Sequence, residues 1–307
     1  MTGYLGIDTS NYTTSCALLR GDRLTQRKRL LPVPKGQLGL RQSEAVFSHV
    51  KALGALAEEL LAQEKGPIAA VGVSVRPRDA EGSYMPCFLA GEMAAQTAAA
   101  ALHVPLYRFS HQAGHIAAAL YGAGRLDLAG ERFVAFHLSG GTTECLLVED
   151  LPGARITPLS ATNDLNAGQV VDRVGGMLGL DFPAGPALEA LALQSQERYR
   201  PRVAFRNGNP CLSGVENQCA RRLREGQAPC DVARFCLDSV TAAVLQMAQG
   251  AREAAGDLPM LFAGGVTSNT ILRAALEKRF GGVFAPPAFS ADNAAGVAVL
   301  ASMAHGG

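Results

Sequence analysis

Tyr4-Leu5-Gly6-Ile7-Asp8-Thr9-Ser10-Asn11-Tyr12-Thr13-Thr14-Ser15-Cys16-Ala17-Leu18-Leu19 sets one apolar run against another across a polar turn. Residues 4–8 and 14–19 have the content of strands and residues 9–13 that of a tight turn, so the chain opens on a hairpin. The same device returns at Phe133-Val134-Ala135-Phe136-His137-Leu138, Ser139-Gly140-Gly141-Thr142-Thr143 and Glu144-Cys145-Leu146-Leu147-Val148. Ser10, Thr13, Thr14, Cys16 and Leu18 fall on Ser139, Thr142, Thr143, Cys145 and Leu147 at a constant separation of 129 residues. Five identities in so short a window point to duplication; the other reading is shared turn chemistry, since Ser, Thr and Gly are what tight turns prefer.

Between the hairpins, apolar spacing predicts a helix over 43–64, closed by Lys65-Gly66-Pro67, and a buried strand over 68–75. An Ala-rich helix over 85–102, a strand over 105–109 and a helix over 111–120 with Ser110 as its cap complete the first half. The glycine-bearing segment 121–130 reads as the boundary between a lobe over 1–125 and a lobe over 126–307, whose last helix returns toward the first. The second half reads as helices over 168–180, 186–193, 232–253, 269–279 and 291–303, a strand over 260–263, and a long irregular Arg-rich segment over 194–210. Strands and helices interleave throughout, which makes the class α/β.

Composition narrows the function classes by exclusion. Of 307 residues, 48% are hydrophobic and 18% charged, which excludes a disordered chain. A net charge of +1 supplies no global basic field for nucleic acid. The seven cysteines form no C-x-x-C pair and fit reduced thiols. No basic n-region precedes a sustained apolar run, and the most apolar stretch, 94–106, is interrupted by Gln96, Thr97 and His103. The expectation is a soluble cytoplasmic protein.

Hairpin tips rich in Ser, Thr and Gly can gather backbone N–H groups around a phosphate, and two such tips can clamp a polyphosphate. Gly264-Gly265-Val266-Thr267-Ser268-Asn269 joins a strand to a helix, where a nucleotide can approach the backbone closely. Each element alone is equally a tight turn. Their order resembles the phosphate-1, phosphate-2 and adenosine elements of the two-lobed actin, sugar-kinase and Hsp70 ATPase (ASKHA) fold. His111 and His115 stand at i and i+4, one above the other on a helix face. That spacing offers two ligands to one metal, or a pair of hydrogen-bonded histidines. Asp292 is the candidate third ligand, or an acid favoured by a helix N-terminus. Asp172 is a ribose- or phosphate-side acid or half of a surface ion pair, and Cys16 and Cys145 are small buried hydrophobes. Arg198, Arg200, Arg202 and Arg206 beside Tyr199 and Phe205 touch RNA, or form a solvated loop.

With those residues in view the chain resembles the TsaD/Gcp family, the catalytic subunit of tRNA threonylcarbamoyladenosine synthase. Gly6-Ile7-Asp8-Thr9-Ser10 resembles its Gly-Ile-Glu-Thr-Ser, His111 to His115 its H-x-x-G-H, and Leu138-Ser139-Gly140-Gly141 its Val-Ser-Gly-Gly. The run from Asn163 through Asp172 to Pro186, then Gly264-Gly265-Val266 with Asn269, and Asp292-Asn293-Ala294-Ala295 follow further motifs in order. The resemblance implies the two-lobed actin-like fold and one iron or zinc ion (Fe2+ or Zn2+) on His111, His115 and Asp292, which are also the catalytic set. It implies a nucleotide pocket of ATP/AMP type lined by His137, Leu138, Ser139, Gly140, Gly141, Asp172, Gly185, Gly265 and Asn269. It further implies threonylcarbamoyl-AMP as donor, tRNA as acceptor, an ASKHA-fold partner subunit and a small ATPase subunit, and no membrane.

The departures cluster on the acceptor side. The family's Cys-Asp-Glu-Thr reads Asn11-Tyr12-Thr13-Thr14, its His after Ser-Gly-Gly is Thr142, its Gly-Pro-Gly loop is Arg76 to Gly82, and a lysine is Glu216. A positioned acid or base is worth about 10²–10⁴-fold in rate. Three readings stand: a tRNA N6-adenosine threonylcarbamoyltransferase, a carbamoyltransferase with another acceptor, and a non-catalytic nucleotide-binding subunit. Retained His111, His115 and Asp292 weigh against the last.

Overall fold

The computed structural model describes residues 2–10, 12–32, 40–153, 155–290 and 294–306. Two compact units divide the chain, one of residues 1–131, 149–156 and 288–307, the other of 132–148 and 157–287.

The first unit carries strands β1 (Gly3–Asp8), β2 (Thr13–Arg20), β3 (Arg23–Leu30), β4 (Ile68–Arg76) and β5 (Leu106–Ser110), with helices α1 (Gln42–Gln63), α2 (Phe88–Leu102), α3 (His111–Gly122) and the C-terminal helix Ala295–Gly306. Its sheet runs β3-β2-β1-β4-β5, antiparallel through the first three and parallel through β1, β4 and β5. Side chains alternate across a strand, so Leu5 and Ile7 enter the core with Leu53, Leu56 and Leu60 of α1 and Ala95 of α2. Gly6 faces the other way, and a Cβ there would lie 2.5 Å from the amide of Ala298 in the C-terminal helix. That helix is apolar on nearly every side because it is buried on nearly every side. It crosses α3 where Gly296 meets the Gly114 carbonyl so closely that no side chain fits. The crossing fixes α3, and with it His111 and His115.

The second unit repeats the plan. Strands β6 (Phe133–Leu138), β7 (Thr143–Asp150), β8 (Arg155–Ala161), β11 (Met260–Ala263) and β12 (Val283–Phe284) order as β8-β7-β6-β11-β12. Ile7 pairs with Cys16 and Asp8 with Ser15, while Phe136 pairs with Cys145 and His137 with Glu144. Both registers therefore preserve the separation of 129 residues, and the duplication holds for sheet topology as well as for turn chemistry. Phe136 stacks on Phe262 and Phe262 on Phe284, at 4.8 and 4.9 Å between ring centroids, tying three neighbouring parallel strands. Helices α4 (Ala167–Met177), α5 (Gly185–Ala192), α6 (Ser213–Arg224), α7 (Pro229–Ala255) and α8 (Thr270–Phe280) and the short hairpin β9 (Ala204–Arg206), β10 (Asn209–Cys211) complete the unit.

Several elements differ from the sequence reading. β3 was not expected, because Arg23-Leu24-Thr25-Gln26-Arg27-Lys28-Arg29-Leu30 has no apolar alternation; as an edge strand it needs none, and its cations blunt the edge. Segment 194–210 is not wholly irregular, since it holds β9 and β10. α6 and β8 were not anticipated, α2 begins at Phe88 rather than residue 85, and a 3-10 turn over Gly265–Ser268 intervenes before α8. Among the described residues no helix is long and apolar enough to cross a membrane.

Candidate active site

Ser110 caps α3 by accepting a hydrogen bond from the Ala113 amide at 3.1 Å, and the helix then lifts His111 and His115 onto one face. Their ring centroids lie 4.3 Å apart at 74°. Directly beneath, the end of β1 delivers Asp8, fully buried, whose Oδ1 lies 3.1 Å from His111 Nδ1 and whose Oδ2 accepts from Ser10 Oγ at 2.6 Å. Burial pushes the Asp8 carboxyl up; the charge of His111 and hydrogen bonds from His111 and Ser10 more than reverse this and hold it below the ordinary carboxylate value. A carboxylate on Nδ1 sets the tautomer and turns Nε2 outward, the arrangement seen behind metal-bound imidazoles. The donor set thus fits a zinc or ferrous ion through two imidazoles. The expected third ligand, Asp292, lies outside the described residues, as does Asn293, and among the described residues no group of three His, Cys, Asp or Glu side chains is placed to hold a metal.

At the first hairpin tip the hydroxyls of Thr9 and Ser10 turn inward. Thr9 Oγ1 donates to the Cys87 carbonyl and accepts from the Gly91 amide, both at 3.0 Å, and Ser10 is committed to Asp8. These hydroxyls brace α2 and the histidine site. Asn11 lies outside the described residues.

The second tip is open. Ser139 Oγ accepts from the Gly141 and Thr142 amides at 3.2 and 3.0 Å, which shapes the turn, while Gly140 and Gly141 are exposed with free space where side chains would be. Gly168, at the start of α4, donates to the Ser139 carbonyl at 3.1 Å, and a Cβ there would sit 2.6 Å from the Gly140 nitrogen. Only glycine permits that approach, and it brings the N-terminal end of a helix to the turn. Gly264, at φ 100°, turns β11 back over the Leu138 backbone. Asp172 Oδ1 accepts from the Ala184 amide at 2.9 Å, just ahead of Gly185 at the first position of α5. Glu189 of α5 then accepts from the Thr270 amide at 2.7 Å and from its hydroxyl. Asn269 caps α8 through Leu272 N–H at 3.0 Å, and Gly265 is exposed in the preceding turn.

Ser139, Gly140, Gly141 and Gly168 are thus in direct contact, while Asp172 holds the residue before Gly185 and Glu189 of α5 holds the residue after Asn269. Among the described residues Asp172 has no ion-pair partner; it anchors the loop into α5. Leu138 is wholly buried, so only its main chain can serve a ligand, and His137 stands one residue earlier in β6, in register with Glu144. Two connections escaped the sequence reading. Asp8 was quoted only as part of a motif, and nothing local linked it to a histidine 103 residues away. Asp164 accepts from the Leu212 and Ser213 amides at 2.8 and 3.1 Å, tying the loop before α4 to the start of α6.

A family model for TsaD, tRNA N6-adenosine threonylcarbamoyltransferase, matches residues 35–299. The chain belongs to the TsaD family. A tRNA N6-adenosine threonylcarbamoyltransferase of Thermus thermophilus is 30% identical over 318 residues, covering 98% of this chain and 92% of that protein. One of Sorangium cellulosum is 30% identical over 332 residues, covering 97% and 90%. Full-length HypF in its phosphate- and nucleotide-bound form superimposes with a TM-score of 0.63 at 13% identity, over 99% of this chain and 55% of that one. Component A of the (R)-2-hydroxyglutaryl-CoA dehydratase of Acidaminococcus fermentans gives 0.56 at 18%, over 100% of both. These two, with a ROK family glucokinase from Streptomyces griseus at 0.50 and 13%, show the ASKHA fold. Against the TsaD pattern, Glu216 in place of lysine has a local partner: its carboxylate lies 3.2 Å from Arg173 Nη1, joining α6 to α4.

Proposed function

We propose that this chain is a tRNA N6-adenosine threonylcarbamoyltransferase acting on a threonylcarbamoyl-adenylate. Membership of the TsaD family over residues 35–299 carries the reading; the carboxylate-backed histidine pair and the open glycine turn support it.

In this reading the exposed turn at Ser139, Gly140 and Gly141, beside the N-terminal end of α4, receives the phosphate of the AMP moiety. Gly185, Gly265 and Asn269 border its nucleoside, and the anchored loop beside Asp172 keeps that border rigid. The exocyclic N6 amine of adenosine forms a bond to the carbamoyl carbon, the carbon–oxygen bond to AMP breaks, and the amine proton is lost. AMP leaves as the anion that backbone N–H groups stabilise. His111, His115 and Asp292 would hold one iron or zinc ion, which when bound supplies Lewis acidity at the acyl phosphate. Asp8 keeps His111 in the tautomer that such an ion requires. A partner subunit of the same fold and a small ATPase subunit belong to the same proposal.

The test is direct. The complex that the chain forms with its partner subunits is purified and incubated with threonylcarbamoyl-AMP and a tRNA transcript, and the nucleosides are separated by mass. Threonylcarbamoyladenosine is the expected product; a transcript left unmodified with the donor intact rejects the assignment.

A further inference from the structure

Residues 198–206, Arg198-Tyr199-Arg200-Pro201-Arg202-Val203-Ala204-Phe205-Arg206, hold four arginines and no acid. Folding sorts them by type. Tyr199 packs edge-on against Phe235, ring centroids 5.4 Å apart, and Phe205 packs on the core beneath β6 and β11. Both rings are partly buried. Arg198 is held by the carbonyls of Ser195 and Glu197. Arg200, Arg202 and Arg206 stay exposed, and among the described residues none has a carboxylate at ion-pair distance. Neighbouring arginines of the same unit are neutralised: Arg234 by Asp238 at 2.9 Å, Arg273 by Glu277 at 2.8 Å.

One of these cations lines a groove of about 490 Å³, formed by Arg202 and Val203 on one side, Leu245, Gln246 and Gln249 of α7 on another, and Arg279 at the end of α8. Arg279 Nη2 donates to Gln249 Oε1 at 3.1 Å, which fixes the guanidinium at the rim. Among the described residues no acid lines the groove. Arg279 lies ten residues beyond Asn269, roughly 15 Å along a helix, so the groove is separate from the glycine loops.

We propose that this groove docks the phosphodiester backbone of tRNA. The inference rests on the tRNA reading above and adds to it a contact surface remote from the reacting nucleotide. Two guanidiniums match a phosphate as planar forks. Gln249 is held between Arg279 and Glu253, whereas the Gln246 carboxamide can both donate and accept, as a ribose 2′-hydroxyl demands, and Val203 and Leu245 offer apolar contact to a sugar or base.

The experiment compares the full-length wild type with the double variant Arg202→Gln and Arg279→Gln, following a labelled tRNA transcript by fluorescence anisotropy from about 50 to about 200 mM salt. The double variant is expected to bind about tenfold more weakly, with a salt slope shallower by about one to two. Calorimetric affinity for AMP is expected to be unchanged, which reports an intact fold. A second variant, Arg202→Lys, keeps the charge and loses the fork; it is expected to hold the wild-type slope with reduced affinity. Equal affinity and slope in the wild type and the double variant overturn the groove, as does an equal loss on duplex DNA of the same charge, which marks indiscriminate polyanion binding. A wild-type chain that does not bind the transcript also overturns it. Failure of the functional reading appears elsewhere, as a wild type that binds the transcript but transfers nothing to it.

Discussion

Asp8 Oδ1 lies 3.1 Å from His111 Nδ1 although 103 residues separate them, and the carboxylate is wholly buried. A charged group accepts that environment only when its oxygens are occupied, and here His111 and Ser10 occupy them. Asp8→Asn keeps the shape and removes the charge that steadies the imidazole. Zinc or iron affinity, measured by metal content after dialysis against buffered metal, is expected to fall about 10–100-fold. Wild-type occupancy in the variant removes Asp8 from any role behind the metal.

Gly168 and Gly140 predict opposite behaviour for one added methyl. At Gly168 the Cβ would meet the Gly140 nitrogen at 2.6 Å and its Cα at 2.8 Å, all main chain, so Gly168→Ala must displace the turn. The expected cost is about 1–3 kcal/mol of stability. Gly140→Ala meets nothing within 4 Å, so its thermal midpoint should match the wild type while AMP affinity falls, because the methyl stands where a ligand would. Calorimetric titration with AMP beside thermal melts separates the two; a stable Gly168→Ala contradicts the packing.

Asp164 supplies the pH dependence. Burial pushes its carboxyl up, and the Ser213 hydroxyl with the amides of Leu165, Leu212 and Ser213 more than reverses that, leaving it lowered. A lowered carboxylate contributes stability that is complete above its unfolded value, near pH about 4, and disappears as pH falls through the folded value. At neutral pH Asp164→Asn should lose about 1 kcal/mol, the difference between hydrogen bonds to a charged and to a neutral acceptor. The gap should close in acid, and a gap that widens there contradicts the assignment.

Cys16 and Cys145 occupy equivalent places in the duplicated hairpins, and both are wholly buried. Burial pushes the Cys16 thiol up to about 12 and the Cys145 thiol further still. Neither should react with iodoacetamide at pH about 8 in the folded protein, whereas the half-buried Cys211 and Cys230 should be labelled first. Peptide mapping after a timed pulse checks the order, and early labelling of Cys16 contradicts its burial.

Local chemistry was enough for the hairpins, their 129-residue echo, the Ser110 cap and the histidine spacing on α3. Each depends on residues within a few positions of one another, where propensity and periodicity act. Position along the chain could not reveal that Asp8 lies under His111, that Thr9 and Ser10 turn inward, or that Tyr199 and Phe205 join the core while Arg202 meets Arg279 across a groove. Those outcomes depend on which faces are buried once strands pair and helices cross, and burial is a property of the packed chain. The same physics hid β3: an edge strand requires only a neighbour with which to bond, and its own residues were free to be cationic.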